Sequence, residues 1–220
     1  MMTREEYMER LQGGGHFAPG WDAVTEACRK VYGDQKESHY VTELAKRAIS
    51  GGDEFLDGYN IYVSAAGYRH IVTFGMSSLY GNPKSYGGEF SNWGYEMTMK
   101  LVAKSNEDCF WALDMLGNLA RYTYRQKRWF EPLQFVSGGG EPIKIGSGSM
   151  LKGLVSVSDT EFEGMDTVHG RLDFIQFVGI TQRELDWANG NPDNAKLLVE
   201  RMRADNPMLV TDLARTKEYI

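Results

Sequence analysis

Cysteine is scarce in this chain. Two occur in 220 residues, Cys28 and Cys109, both on expected helices and neither in a CxxC pair. That excludes a disulfide-stapled scaffold and argues against a structural zinc site; isolated thiols of this kind read as buried side chains. Basic runs are missing as well. No stretch of Lys and Arg exceeds two residues, and 30 acidic against 24 basic residues leave a net charge of −6. An acidic chain without a basic patch attracts no phosphate backbone, so nucleic acid is not an expected partner. No apolar stretch approaches the roughly 20 residues that cross a bilayer. The opening MMTREEYMERLQGGG has no apolar segment of a secretory signal. No membrane association is expected, and the cytoplasm is the expected location. Catalytic signatures are absent too: there is no GxSxG, GxxxxGK[ST], HxH or HExxH.

What is present is a foldable chain. Hydrophobic residues make up 42% and aromatics 12%, and a chain of this length hides roughly 70% of its unfolded surface on folding. Residues 3–12 read as a short helix closed by the joint Gly13-Gly14-Gly15. The segment GWDAVTEACRKVYGDQ places Trp21, Val24, Ala27, Cys28, Val31 and Tyr32 on one helical face. Its acids lie near the start, its bases near the end, and Gly33 supplies the stop. Residues 40–49 are an expected strand. YNIYVSAAGYRHIVTFG reads as a hairpin turning at Ala66-Gly67, with Tyr68, His70, Val72 and Phe74 on one face. WGYEMTMKLVA sends Trp93, Tyr95, Met97, Met99 and Leu101 one way and Glu96, Thr98 and Lys100 the other.

A long helix is expected from about Ser105, where Ser105 and Asp108 resemble a capping box. SGGGEPIKIGSGSM reads as turns around one short strand. LKGLVSVS and RLDFIQFVG are further strands, the second apolar on both faces and so expected at the centre of the sheet. Thr181 with Glu184 caps a helix ending at Gly190, Asn191-Pro192 starts another, and a short strand is expected at Met208–Val210. Strands and helices do not alternate strictly. The expected fold is α+β, with a mixed or mostly antiparallel central sheet flanked by helices. Residues 1–19 form an N-terminal helix and glycine joint, and 20–220 a single domain.

Chemistry is harder to find. The glycines at 138–148 are read as turns rather than a phosphate loop. The histidines are His16, His39, His70 and His169, and none has metal-ligand spacing. A strand histidine such as His70 is more often a hydrogen-bonded core residue than a ligand. No catalytic residue, metal or cofactor is assigned; a hydrolase or metal-dependent enzyme using His70 or His169 stays as the alternative. Aromatics carry more signal. Tyr80 and Tyr86 lie in the polar loop SSLYGNPKSYGGEFSNW, and exposed Tyr and Trp are favoured at protein interfaces. Capping of the core is the competing reading for each.

The order of segments resembles the Suppressor of fused family. GWDAVTEACRKVYGDQ looks like the opening of that domain, and HIVTFGMSSLYGN like its aromatic strand running into a G-[LM]-S-x-LYG turn. WGYEMTMKL resembles its [FW]-G-[FY]-E-L-T strand, and LARYTYRQKRWF its long helix. LDFIQFVGITQREL resembles its F-L-Q-x-V-G-[IV]-T-x-x-EL strand and capped helix, and LVTDLARTKEY its ending. The resemblance implies a Suppressor of fused-like domain and a non-enzymatic protein-binding role. In animals such proteins hold zinc-finger transcription factors in the cytoplasm, with the bound peptide between two domains. A chain holding one such domain lacks that clamp and resembles bacterial members, many of which look like immunity proteins of polymorphic toxin systems. The implied partner is a protein: a toxin or a peptide segment of a regulator. Tyr80 matches a family tyrosine that touches the partner, and Trp21 a tryptophan near that surface; Trp93 lies at the same expected groove. The animal proteins also use an aspartate before the [FW]-G-[FY]-E strand. The loop here, PKSYGGEFSN, is shorter, and Glu89 is its only acid and the fourth candidate. A homodimer through the aromatic surface is a third reading.

Overall fold

Two helices open the chain, α1 (Arg4–Gln12) and α2 (Pro19–Tyr32). The computed structural model describes residues 2–42 and 55–220. Strands β1 (Ser38–Val41), β2 (Gly58–Val63), β3 (Arg69–Phe74) and β4 (Phe90–Leu101) follow, then α3 (Phe110–Gln126). Next come β5 (Phe135–Ser137), β6 (Leu151–Ser158), β7 (Met165–Thr167) and β8 (Gly170–Thr181). Helices α4 (Gln182–Gly190) and α5 (Pro192–Asp205) close the fold.

The strands form one sheet in the order β1-β2-β3-β4-β8-β6-β5, with β7 paired to the start of β8. Among the strands of the described residues, only β4 and β8 pair in parallel; the other strand pairs are antiparallel. The expected α+β fold is therefore found, with RLDFIQFVG inside the sheet as read. Both faces are covered. The odd-numbered side chains of β4, from Tyr95 to Leu101, meet α3 through Ala112, Leu116, Leu119 and Ala120. On the opposite face α2 lays Val24, Ala27 and Cys28 on Tyr62, Val72, Phe74 and Phe174. Helices α4 and α5 cover Val155, Val157, Val178 and Ile180 on that same face. Burial pushes the Cys28 thiol up to about 12 and the Cys109 thiol to about 11, so both are inert core sulfurs.

Helix α2 starts hard against the chain. The amides of Gly20 and Trp21 both donate to the Leu79 carbonyl, at 3.0 and 3.2 Å. A Cβ on residue 20 would lie 1.9 Å from the Ser78 carbonyl oxygen, so only glycine allows the approach. Thr181 and Glu184 form the expected capping box. Ser105 and Asp108 also bond reciprocally, at 3.0 and 3.4 Å, ahead of a 3₁₀ turn that leads into α3.

Two local expectations differ, and one strand was not foreseen. The expected strand inside SGGGEPIKIGSGSM does not form; the strand lies earlier, at β5, because Phe135–Ser137 pairs with β6 while the glycines turn. Met208–Val210 is a turn with Leu209 at φ 51°, and the pairing falls on a single bridge between Leu101 and Thr211. Strand β7 is three residues long, too short to show a period. Of the expected 40–49 strand, Ser38–Val41 forms β1, and positions 43–49 lie outside the described residues.

Candidate functional site

Tyr80 sits at the end of the turn FGMSSLYG that follows β3, and that turn is held from beneath by one carboxylate. Glu96 of β4 is fully buried. Its Oε1 accepts from the amides of Gly75 (3.0 Å) and Ser77 (2.9 Å) and from the Ser77 hydroxyl (2.6 Å). Its Oε2 accepts from the Thr73 hydroxyl (2.7 Å) and the Met76 amide (3.3 Å). Burial raises its pKa above the ordinary carboxylate value, and these five donors pull the other way. Two residues on, the Leu79 carbonyl receives the start of α2. The Tyr80 ring is 45% exposed, yet its hydroxyl donates to Asp57 Oδ1 at 3.0 Å. It is an aromatic surface group on a fixed backbone.

Trp21 is tied to the same turn through its backbone amide. It lies on the first turn of α2, next to the amide bond that ties it to Leu79. Its ring packs on Phe74 at 4.5 Å and edge-on to His39 at 5.4 Å. Trp93 is not on this surface. It belongs to the α3 face of the sheet, edge-on to Tyr124 at 5.3 Å, with Lys127 over its ring. Glu89 lies apart again, exposed at the β4 start, where its carbonyl accepts from the Arg171 amide at 2.9 Å. The four candidates therefore divide between two faces and an edge.

Between α2 and the α4–α5 pair runs a buried polar seam. Lys100 of β4 is fully buried, and its ammonium meets Asp159 Oδ1 at 3.2 Å, Glu161 Oε2 at 2.9 Å and the Thr160 hydroxyl. His70 Nε2 donates to Asp159 Oδ2 at 3.0 Å, while Nδ1 meets the Tyr32 hydroxyl at 2.6 Å. Asp159 also accepts from the Thr98 hydroxyl and the amides of Glu161 and Phe162. Burial alone would raise the Asp159 pKa, but the bond from His70 and the Lys100 charge hold it well below the carboxylate range. Glu161 is brought down to about 2 against its own burial, by bonds from His70 and Lys100. His70, Asp159 and Glu161 offer ligand atoms within 4.8 Å of one another, the donor set of a divalent-metal site. Lys100 does not fit that role for them: its ammonium already lies against both carboxylates, and a second cation would face it at contact distance.

His169 is internal as well. Its Nδ1–H donates to the Ser78 carbonyl at 2.7 Å, which leaves Nε2 to accept from the Tyr7 hydroxyl at 2.8 Å. Burial pushes its pKa below the ordinary histidine value. Both histidines of the enzyme alternative thus spend their ring nitrogens on the protein itself. Sequence reading placed Glu96, Thr98 and Lys100 on one strand face but missed their buried bonding. The one available signal was two charged residues on a strand whose neighbours are all apolar.

Residues 52–216 match the family model described as Suppressor of fused protein. The human Suppressor of fused homolog is 28% identical over 215 residues, covering 89% of this chain and 43% of the human protein. This chain thus spans less than half the length of that relative. The fold matches a chain of the Sufu–Fu complex with a TM-score of 0.76, at 22% identity over 92% of this chain and 93% of that one. It also matches a Suppressor of fused homolog from Neisseria gonorrhoeae FA 1090, with a TM-score of 0.61 at 15% identity over 91% and 97% of the two chains. On the family match along most of its length, this chain belongs to the Suppressor of fused family.

Proposed function

We propose that this chain is a non-enzymatic protein-binding module that captures a segment of a partner protein on the surface around Tyr80 and Trp21. The observation that carries the reading is Tyr80 itself. It is an exposed tyrosine on a turn fixed by four bonds to Glu96. A rigid aromatic anchor of that kind gives contact area at little entropic cost. The shared fold with a chain of the Sufu–Fu complex supports the same reading. The finer role is that of an immunity or regulatory protein in the bacterial cytoplasm, acting stoichiometrically by covering a toxin or regulator. The fold match to a homolog from Neisseria gonorrhoeae FA 1090 shows that proteins of this fold occur in bacteria, which agrees with the bacterial part of that role. Glu89 and Trp93 belong to the outer reach of the partner rather than to its anchor.

The test is a pull-down from native lysate with tagged protein beside Tyr80→Ala. A stoichiometric partner should appear with the wild type, and its affinity should fall about thirtyfold in the variant, the 2 kcal/mol of an ordinary hot spot. A partner retained at full strength would move the site away from Tyr80. Bait alone in both lanes would count against the module.

A further inference from the structure

The parallel ladder between β4 and β8 is interrupted. Phe90 pairs with Arg171, and pairing resumes only at Tyr95 with Asp173, so residues 91–94 face the single residue Leu172. Asn92 and Gly94 take left-handed backbone, at φ 54° and 82°, and carry the strand away from its neighbour. The gap opens a groove of about 500 Å³ on the α3 face, lined by Phe90, Trp93, Trp129, Phe130, Glu131 and Asp173 among others. Phe90 and Trp129 are 54% and 56% exposed, more than a core-capping role needs.

We infer that this groove receives an arginine side chain of the partner polypeptide, stacked on the tryptophans and paired with Glu131. The inference rests on the protein-binding reading and adds a second contact to the Tyr80 anchor. Three observations select the occupant. Aromatic faces attract cations, and the planar guanidinium both stacks on rings and forks a carboxylate. Trp93 already carries one cation, the Lys127 ammonium 5.6 Å from its ring centroid, and Lys127 itself does not line the groove. Of the two carboxylates lining the groove, Asp173 is held by Arg171 at 2.7 Å. Glu131 is exposed, and among the described residues its carboxylate makes no hydrogen bond or ion pair. An aromatic groove with one uncommitted carboxylate complements one cation.

The experiment titrates the full chain with acetyl-Gly-Arg-Gly-amide and follows the indole N–H signals of Trp93 and Trp129 by NMR. The same peptide with citrulline in place of arginine keeps the shape and removes the charge. The arginine peptide should give saturating shifts, and citrulline should bind about tenfold more weakly, the sum of a partly desolvated cation–π contact and an exposed ion pair. Trp129→Ala should abolish saturation at the Trp93 signal, and Glu131→Gln should bring arginine down toward citrulline. Both variants alter exposed side chains, so the core stays intact. Equal binding of the two peptides, shifts unchanged in both variants, or no saturation at all would each overturn the inference. Failure of the binding module itself would show differently, as an empty pull-down. A partner captured by wild type, Trp129→Ala and Glu131→Gln with equal strength would leave the module standing and remove the arginine site.

Discussion

Lys100 has three ammonium hydrogens and three partners, Asp159, Glu161 and Thr160. No solvent reaches it. Such a group is tolerated in a core only while its charge is matched and each hydrogen is used. Replacing Lys100 with methionine keeps the volume but leaves Asp159 and Glu161 facing each other across His70. Breaking a buried pair on one side costs about 3–5 kcal/mol. Lys100→Met should therefore lose that much in urea unfolding, and a loss under about 1 kcal/mol would show that the seam is not a closed network. Little of this site was legible beforehand. The seam joins His70 to Asp159 across 89 positions and Lys100 to Asp159 across 59. Contacts of that range leave no local spacing to read. Tyr80 and Trp21 could be named because a resemblance supplied them, whereas their meeting at Leu79 is a matter of tertiary packing.

At the scale of elements, the start of α2 is the most exacting joint. Two amides share the Leu79 carbonyl, and Gly20 lets the helix touch the Ser78–Leu79 backbone. A methyl group at residue 20 meets backbone, which cannot rotate aside. Gly20→Ala should cost about 1–3 kcal/mol by overpacking, with faster hydrogen exchange at the amides of residues 20 and 21. Wild-type stability and exchange would show that the approach carries no constraint. Elements with a period or a cap were readable: the α2 stripe, the alternation of β4 and the Thr181–Glu184 box all appear as expected. Elements set by pairing alone were not. Strand β5 exists because β6 lies beside it, and β7 because the β8 start folds back on it. Alternation in β4 did not tell whether its second face is covered. A strand with Glu96, Thr98 and Lys100 on one face usually shows that face to water. Here α2 and the α4–α5 pair cover it, and the charges are matched inside.

For the whole molecule, the buried carboxylates set the response to acid. In the unfolded chain Asp and Glu titrate near about 4. Folding depresses both Asp159 and Glu161, the latter to about 2, through the bonds and charges of His70 and Lys100. A depressed carboxylate contributes stability that is fully present above the unfolded value and is lost as pH falls toward the folded one. These two groups therefore leave stability level from neutral pH down to about 5 and withdraw it between about 4 and 2. Glu96 works in the opposite sense, because burial raises its pKa and protonation relieves that cost. The fall measured in acid is the difference between the two effects. Glu161 separates them. Its side chain is 17% exposed and reaches the seam from the edge, so Glu161→Gln removes one titrating group while the strands stay in place. The thermal midpoint of the wild type should drop steeply below pH 4, and that of Glu161→Gln, lower at neutral pH, should fall with a visibly shallower slope. Parallel curves would mean that Glu161 titrates alike in the folded and unfolded chains, and that the seam draws its acid sensitivity from Asp159 alone.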